Sequence, residues 1–411
     1  MAELVQTKTY GEIRIGIDEE NITDGDGTAQ IMASLGLCDG WVPGRRTLAL
    51  IFGGRSTEHE VSCMSCASVL ENINRDKYNI LRIGITRQGC WYLYGGTDSA
   101  IKEAAWADPD RRFTLCPCRI AMPDLIRGGG IEFTHGERAL FVPVDVCFPV
   151  LHGKNGEDGT IQGLFEMCGM PYVGCGVTAS AVAMDKALTK QICRTYAVDV
   201  ADFLVVHEHE LRSKVSQCTA AIEAKFKYPV FVKPANAGSS VGVSKANGTS
   251  ELAIALGAAV LHDERVLVEE YVAGREIECS VLGNSCGGAA SLTVSGCGEI
   301  VPNADFYDYQ TKYCSDTAEY KVPAKLPKKI QQSVQRTALQ VYCALGCDGM
   351  ARCDFFVTPD GRVVFNEINT IPGFTAISMY PKLLAADGVP YPELIDRLAG
   401  LALERHGSRL S

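Results

Sequence analysis

The sequence predicts an α/β chain of several packed units, and three observations carry that expectation. Its 411 residues exceed one ordinary domain. Short apolar, strand-like runs alternate with segments in which apolar residues return every three or four positions. Glycines punctuate the joints between the two.

Taken in order, residues 1–46 form an N-terminal extension of unknown role. Its acidic stretch Asp18 to Asp26 does not make a calcium loop, because one starting at Asp24 would place Leu35 where a twelfth-position acid is needed. Leu48-Ala-Leu-Ile-Phe52 reads as a buried strand ending at Gly53-Gly54. An amphipathic helix follows, with Thr57 and Glu60 as a capping box and Cys66, Val69, Leu70 and Ile73 on its inner face. Ile80 to Ile85 and Trp91 to Tyr94 are further strands. The stretch with Pro117, Pro123 and Gly128-Gly-Gly130 suits a hairpin insertion.

Val144 to Leu151 returns to the sheet and leaves His152 at its carboxyl end, where open α/β sheets bind ligands. Helices are expected over Ile161 to Met167 and Ala179 to Tyr196, then Ser250 to His262, with a strand over Val266 to Val272 and a helix over Lys329 to Leu345.

Composition narrows the function classes. The net charge of −10 argues against a nucleic-acid binder, and no basic stripe is interleaved with aromatics. No run approaches about eighteen apolar residues, and the acidic N-terminus lacks the layout of a signal peptide. A soluble, cytosolic protein with neither membrane nor nucleic-acid partner is expected. The 18 cysteines are scattered through a long chain, which suits reduced core thiols. Cys63-Met-Ser-Cys66 has C-x-x-C spacing but no second pair.

The chemistry concentrates in two places. In Tyr228-Pro-Val-Phe-Val-Lys233-Pro-Ala-Asn-Ala-Gly238-Ser239-Ser240-Val-Gly242 a β-rich run delivers a lysine into a loop of small residues. Uncovered N–H groups there can converge on phosphate oxygens, with Lys233 as a mobile charge. About 120 residues downstream, Arg352-Cys-Asp354 and Glu367-Ile-Asn369 end strand-like runs in oxygen ligands suited to a hard cation such as Mg²⁺ on a nucleotide. Neither a P-loop nor the kinase signatures occur.

With Ile51-Phe-Gly-Gly-Arg-Ser-Thr-Glu58-His-Glu-Val-Ser62, Leu151-His152-Gly-Lys-Asn-Gly-Glu-Asp-Gly-Thr160, Met184-Asp-Lys186 and Asp305-Phe-Tyr307-Asp-Tyr-Gln-Thr-Lys312-Tyr313, these motifs resemble the D-alanine:D-alanine ligases of the ATP-grasp superfamily. The resemblance runs from about Thr47 to near the C-terminus. It implies an N-terminal α/β substrate domain (47–175), a central ATP-grasp lobe (176–272) and a C-terminal ATP-grasp catalytic domain (273–411) clamping ATP, and a homodimer.

The same resemblance implies roles. Lys186, Lys233 and Lys312 meet ATP phosphates, Ser240 lies in the phosphate loop, Glu269, Glu270, Tyr271 and Val272 hold adenine, and Glu276 takes the ribose hydroxyls. Asp354, Glu367 and Asn369 hold Mg²⁺, with Mn²⁺ as a substitute. Glu58 receives the ammonium of the first D-alanine and forms a set with Ser239 and Tyr313. Arg352 and the Gly373 amide form the oxyanion site. His152, Tyr307, Ser378 and Met379 line the substrate pocket, the last two toward the second substrate's carboxylate. The implied reaction is ATP-dependent formation of D-alanyl-D-alanine through D-alanyl phosphate, for peptidoglycan precursors.

Related ligases make D-alanyl-D-lactate or D-alanyl-D-serine. Lys312-Tyr313 argue against lactate, whose ligases differ in the lid. Serine-forming relatives tend to carry phenylalanine at the position of Tyr307 and arginine at that of Met379. The Phe148 to Asn155 stretch nevertheless looks close to that subgroup, so D-serine stays the alternative acceptor.

Overall fold

The computed structural model describes residues 41–410 apart from 109, 111–114, 123–127, 136–137, 239–240 and 303–317. Strands β1 (Arg46–Gly53) and β2 (Tyr78–Ile85) pair in parallel, with helix α1 (His59–Asn72) crossing between them. Leu48 to Phe52 are wholly buried, as expected of a strand covered on both faces. After β3 (Trp91–Tyr94) and α2 (Asp98–Lys102), the segment read as a hairpin insertion is built as β4 (Leu115–Ala121), β5 (Gly130–His135) and β6 (Arg138–Pro143). These extend the sheet antiparallel, and β7 (Val146–Pro149) joins its other edge parallel to β1, giving the order β6-β5-β4-β3-β2-β1-β7.

Helix α1 differs from expectation in two ways. The Thr57/Glu60 capping box does not form; Glu58 is the N-cap residue without a side-chain cap, and its amide donates to Ser56 Oγ at 3.0 Å. The helix is also buried on nearly every side, His59 and Ser62 included, so it is not amphipathic. The cause lies far away in sequence, in a C-terminal helix laid over it.

Helices α3 (Thr160–Met167), α4 (Val177–Met184) and α5 (Lys186–Thr195) follow. The single helix expected over Ala179 to Tyr196 is two, broken at Asp185, whose backbone is extended and whose carboxylate accepts from the Leu188 amide at 2.9 Å. An aspartate that can cap a helix starts a new one here. The break puts Lys186 on a first turn, with its own amide held by Ala235 O at 3.0 Å.

The second sheet comprises β8 (Phe203–His207), β9 (Val230–Pro234), β10 (Ser244–Ala246) and β11 (Arg265–Glu270), antiparallel in the order β10-β9-β11-β8. Helices α6 (Glu208–Lys225) and α7 (Thr249–Ala259) cover it, Ile222, Leu252 and Leu256 meeting Val232 and Val266 in one core. Strand β11 stops at Glu270, short of the expected Val272.

The third sheet holds β12 (Arg275–Leu282), β13 (Thr293–Pro302), β14 (Ala318–Lys321), β15 (Met350–Val357) and β16 (Val363–Asn369), antiparallel in the order β14-β13-β12-β15-β16. Its core takes in α8 (Lys328–Ala344) and also Ala179, Ala183 and Cys193 of α4 and α5. After α9 (Met379–Ala386), the long α10 (Tyr391–Leu410) turns back, and its Leu394, Leu398 and Ala402 share a core with Leu48, Leu50 and Val69. That is the cover over α1. The described cysteines are free thiols, with Cys63 and Cys66 buried, and no described helix is long and apolar enough to cross a membrane.

Candidate active site

Register on the third sheet assembles the first part of the site. Glu278 of β12 stands across from Asp354 of β15, which stands across from Glu367 of β16. Two residues along each strand, Ser280, Arg352 and Asn369 form the next row on that face. Asp354 is therefore mid-strand, not at a strand end as expected. Residues two apart share a face, so Arg352 and Asp354 point the same way. Arg352 Nε and Nη2 donate to the two Asp354 oxygens at 2.7 Å each, and Asn369 Nδ2 donates to Asp354 Oδ2 at 3.1 Å.

This row fits a divalent cation by its donors. Two carboxylates and an amide oxygen offer hard ligands for a metal that completes its shell with phosphate and water. No group of three His, Cys, Asp or Glu poised for a metal occurs among the described residues.

The second sheet brings the lysines. Lys233 Nζ lies 2.6 Å from Glu269 Oε2 and donates to Asn366 Oδ1 of β16 at 3.3 Å. Glu269 Oε1 faces Lys190 Nζ of α5 at 2.8 Å, with both side chains almost fully buried. Burial would raise the Glu269 carboxyl, but Lys190 and Lys233 overrule it and hold it down to about 2. Burial likewise works to lower Lys233, and Glu269 outweighs it, so the ammonium is raised. Lys190 is lowered, by burial first, although Glu269 opposes the change. Of the two lysines, Lys233 thus holds its proton more firmly. Lys186 Nζ donates to Ala237 O at 2.6 Å and lies 3.6 Å from Glu367 Oε2, tying the phosphate loop to the acidic row. Between these groups lies a narrow cleft lined by Glu157, Met184, Lys186, Gly238, Glu367 and Asn369.

The first sheet supplies the opposite wall. The Glu58 carboxylate is buried between Gly153 and Gly238: a Cβ on either glycine would come within 2.4 or 2.6 Å of Glu58 Oε2. Gly153 has φ +72°, a conformation that also favours glycine. Glu157 accepts from the Gly153 amide at 2.7 Å. Burial and then the Glu58 charge push its carboxyl well above the usual carboxylate range, which favours the protonated form of Glu157.

His152 is buried with both ring nitrogens engaged, Nδ1 with Ile371 O at 3.1 Å and Nε2 with Ser65 Oγ at 2.9 Å. A carbonyl can only accept, so Nδ1 carries the proton and Nε2 accepts from Ser65. Ser65 Oγ in turn accepts from the Phe374 amide at 3.3 Å. His152 therefore braces the loop on both sides of Gly373. Burial lowers its pKa to about 4, which keeps the ring neutral.

The remaining residues divide by placement. Ser378 Oγ accepts from the Thr375 amide at 3.0 Å and sits against Gly373 at the start of α9. Met379 is buried, its side chain filling the space over Gly298, so only its amide in the first turn can meet a carboxylate. Glu270 accepts from the Asp202 amide at 3.0 Å, Tyr271 is half-exposed and stacks on Phe231, and Val272 follows beyond the strand. Glu276 lies on β12, near enough to help raise Lys233. Ser239, Ser240, Tyr307, Lys312 and Tyr313 lie outside the described residues.

The family models described as D-ala D-ala ligase N-terminus and C-terminus match residues 47–175 and 192–400. The chain belongs to the D-alanine–D-alanine ligase family. Ligases so named from Caldicellulosiruptor bescii and Acetivibrio thermocellus are 45% and 46% identical, each over 89% of this chain and over 97% and 98% of their own length. Among solved structures, a D-Ala:D-Ser ligase (VanG) from Enterococcus faecalis is 39% identical with a TM-score of 0.76, covering 87% of this chain and 99% of its own. A D-alanine-D-alanine ligase from Coxiella burnetii is 35% identical with a TM-score of 0.75, over 89% and 96%. The expected ATP-grasp architecture stands with the family. Membership implies a nucleotide and a divalent metal as its reactants and helper.

For this D-alanine–D-alanine ligase family member, sequence reasoning did not single out Lys190, Glu157, Ser65, Asn366 or Glu278 as site residues. Lys190 stands four residues after Lys186, one helical turn on, which was the available signal. Glu157 lies inside the quoted His152 motif. The other three enter only through cross-strand or long-range contacts.

Proposed function

We propose that this chain joins two D-alanines into D-alanyl-D-alanine at the cost of ATP, by way of D-alanyl phosphate, for cell-wall precursors. The observation that carries the reading is the Asp354–Glu367 pair, bridged to Arg352 on one side and to Lys186 on the other. A carboxylate must be phosphorylated before an amine can displace at it, and that transfer needs positioning and neutral charge. Lys186 and Lys233 supply positive charge at the phosphate loop, with Lys312 as a third. Adenine is assigned to the Glu269–Val272 stretch, through its backbone, and ribose to Glu276.

Asp354, Glu367 and Asn369 are the residues that would hold Mg²⁺, or Mn²⁺ in its place, whose chemistry when bound is to neutralise phosphate oxygens. Glu58 receives the first D-alanine's ammonium. Glu157, kept neutral beside it, adds no second negative charge. Arg352 and the Gly373 amide stabilise the oxyanion formed when the second amine attacks, with His152 fixing the loop that carries Gly373. Ser378 and the Met379 amide take the second carboxylate. Ser239, Ser240, Tyr307 and Tyr313 complete the loop and lid that keep water from the acyl phosphate.

The organisation proposed is an extension to residue 46, then units at 47–175, 176–272 and 273–411, in a cytoplasmic homodimer. Phosphate release from Mg-ATP with D-alanine, in competition with D-serine and D-lactate and with products weighed, tests the reading. D-alanyl-D-alanine as the main product supports it. Predominant D-alanyl-D-serine overturns the acceptor assignment, and ATP binding without turnover overturns the activity.

A further inference from the structure

Glu278 is a buried acid that the chemistry above leaves without a task. It stands on β12 directly across from Asp354, with 5% of its surface exposed. A carboxylate so far from water needs a cation beside it. Arg352 is that cation, its Nε 3.1 Å from Glu278 Oε2. The guanidinium fork is nevertheless turned to the other side, with Nε and Nη2 donating to both oxygens of Asp354. Arg352 thus lies between two carboxylates and is bidentate on one.

A divalent cation on Asp354 would loosen that arrangement. Oδ1 already accepts from Nε and Oδ2 from both Nη2 and Asn369, so little lone-pair capacity is left, and the cation's charge repels the guanidinium. An arginine released with no new partner would be a poorly exposed charge pointing in no fixed direction, and oxyanion donors act only when held in place. We infer that Glu278 is the second anchor of Arg352: with Asp354 engaged by a cation, Nε–H would be held by Glu278 instead, and the Nη groups would stay aimed at the cleft. The inference rests on the reading of Asp354 as a metal ligand and Arg352 as an oxyanion donor. Glu278 is then a positioning residue, acting through Arg352.

The test compares Glu278→Gln, which keeps an acceptor but no charge, with Glu278→Leu, which keeps neither. Mn²⁺ binding is followed by electron paramagnetic resonance with a non-hydrolysable ATP analogue present, beside steady-state turnover with Mg-ATP and D-alanine. Weaker Mn²⁺ binding is expected in both variants, because without the Glu278 charge Arg352 leans more on Asp354. A kcat lowered about tenfold in the glutamine variant, and toward a hundredfold in the leucine variant, is expected with KM for ATP within about twofold of native.

Native kcat and native Mn²⁺ affinity in the folded variants overturn the inference, as does a rise in KM for ATP with kcat unchanged. Should the leucine variant fail to fold, the glutamine variant decides by the same two readouts. Arg352→Ala separates the levels. If it turns over normally, the oxyanion reading fails whatever Glu278 does; if it is inactive while Glu278→Gln is native in both readouts, only the role of Glu278 falls.

Discussion

Replacing Gly238 with alanine should damage D-alanine use while sparing ATP binding. Gly238 does not occupy the left-handed region, so an alanine there carries no backbone penalty. Its methyl would lie 2.6 Å from Glu58 Oε2, where ordinary contact begins near 3.4 Å. The carboxylate or the loop must yield by about 0.8 Å, and close packing leaves little room for either. Glu58 is 4% exposed, and retreat is closed by Gly153, itself too close to the same oxygen to accept a methyl. A misplacement near 1 Å costs about a hundredfold in rate. We expect kcat/KM for D-alanine to fall about tenfold to a hundredfold, or about 1.4–2.7 kcal/mol of transition-state stabilisation. Steady-state phosphate release against D-alanine measures the loss, and fluorescence titration with ATP measures the nucleotide. Gly153→Ala is the companion variant, in which φ +72° adds about 1–2 kcal/mol of instability to the same clash. Folded Gly238→Ala with native kcat/KM for D-alanine would refute the placement of Glu58, and so would a raised KM for ATP with KM for D-alanine unchanged.

Three further outcomes are expected. Arg352→Ala should lose on the order of a hundredfold or more in turnover with ATP binding retained, read by the same two assays; normal turnover would sink the oxyanion role. Lys190→Met breaks a buried pair and leaves Glu269 with Lys233 alone, so urea unfolding should show a loss of about 3 kcal/mol, and an unmoved midpoint would mean that the pair is not structural. For Glu157 the folded carboxyl is raised, so its contribution is fully present below the unfolded value of 4.5 and is lost as pH climbs toward the folded one. Glu157→Gln removes that loss, so its melting temperature relative to the native chain should be level near pH 4 and rise with alkalinity. A difference that is flat with pH would contradict the buried, protonated acid.

Much of the site was legible because its residues sit in short contiguous motifs. Lys233 with Gly238, Asp354 with Arg352, and Glu367 with Asn369 each combine a strand and a ligand within a few positions. The strand from Leu48 to Phe52 was legible from apolar content alone, since a run buried on both faces needs no alternation. What escaped reading depended on partners distant in sequence. The burial of α1 on all sides comes from α10, more than three hundred residues later, and no local periodicity carries that fact. Asp185 was passed over because helical spacing continues through it, while its capping bond to Leu188 ends one helix and begins the next. Glu278 reads as an ordinary strand acid until the register sets it opposite Asp354.

The three sheets each bring a charge type that is costly to keep alone. The first contributes Glu58 and Glu157, the second Lys233 with Glu269, and the third Arg352 with Asp354 and Glu367. The second and third pair much of their charge locally, as Glu269 does between two lysines and Asp354 does on Arg352. The lysine contacts that reach the acidic row are longer than the local pairs: Lys233 to Asn366 at 3.3 Å and Lys186 to Glu367 at 3.6 Å, against 2.6 and 2.8 Å for the two lysines on Glu269. An anionic ligand with its cation therefore has most to offer at that row, where the lysines are held least closely.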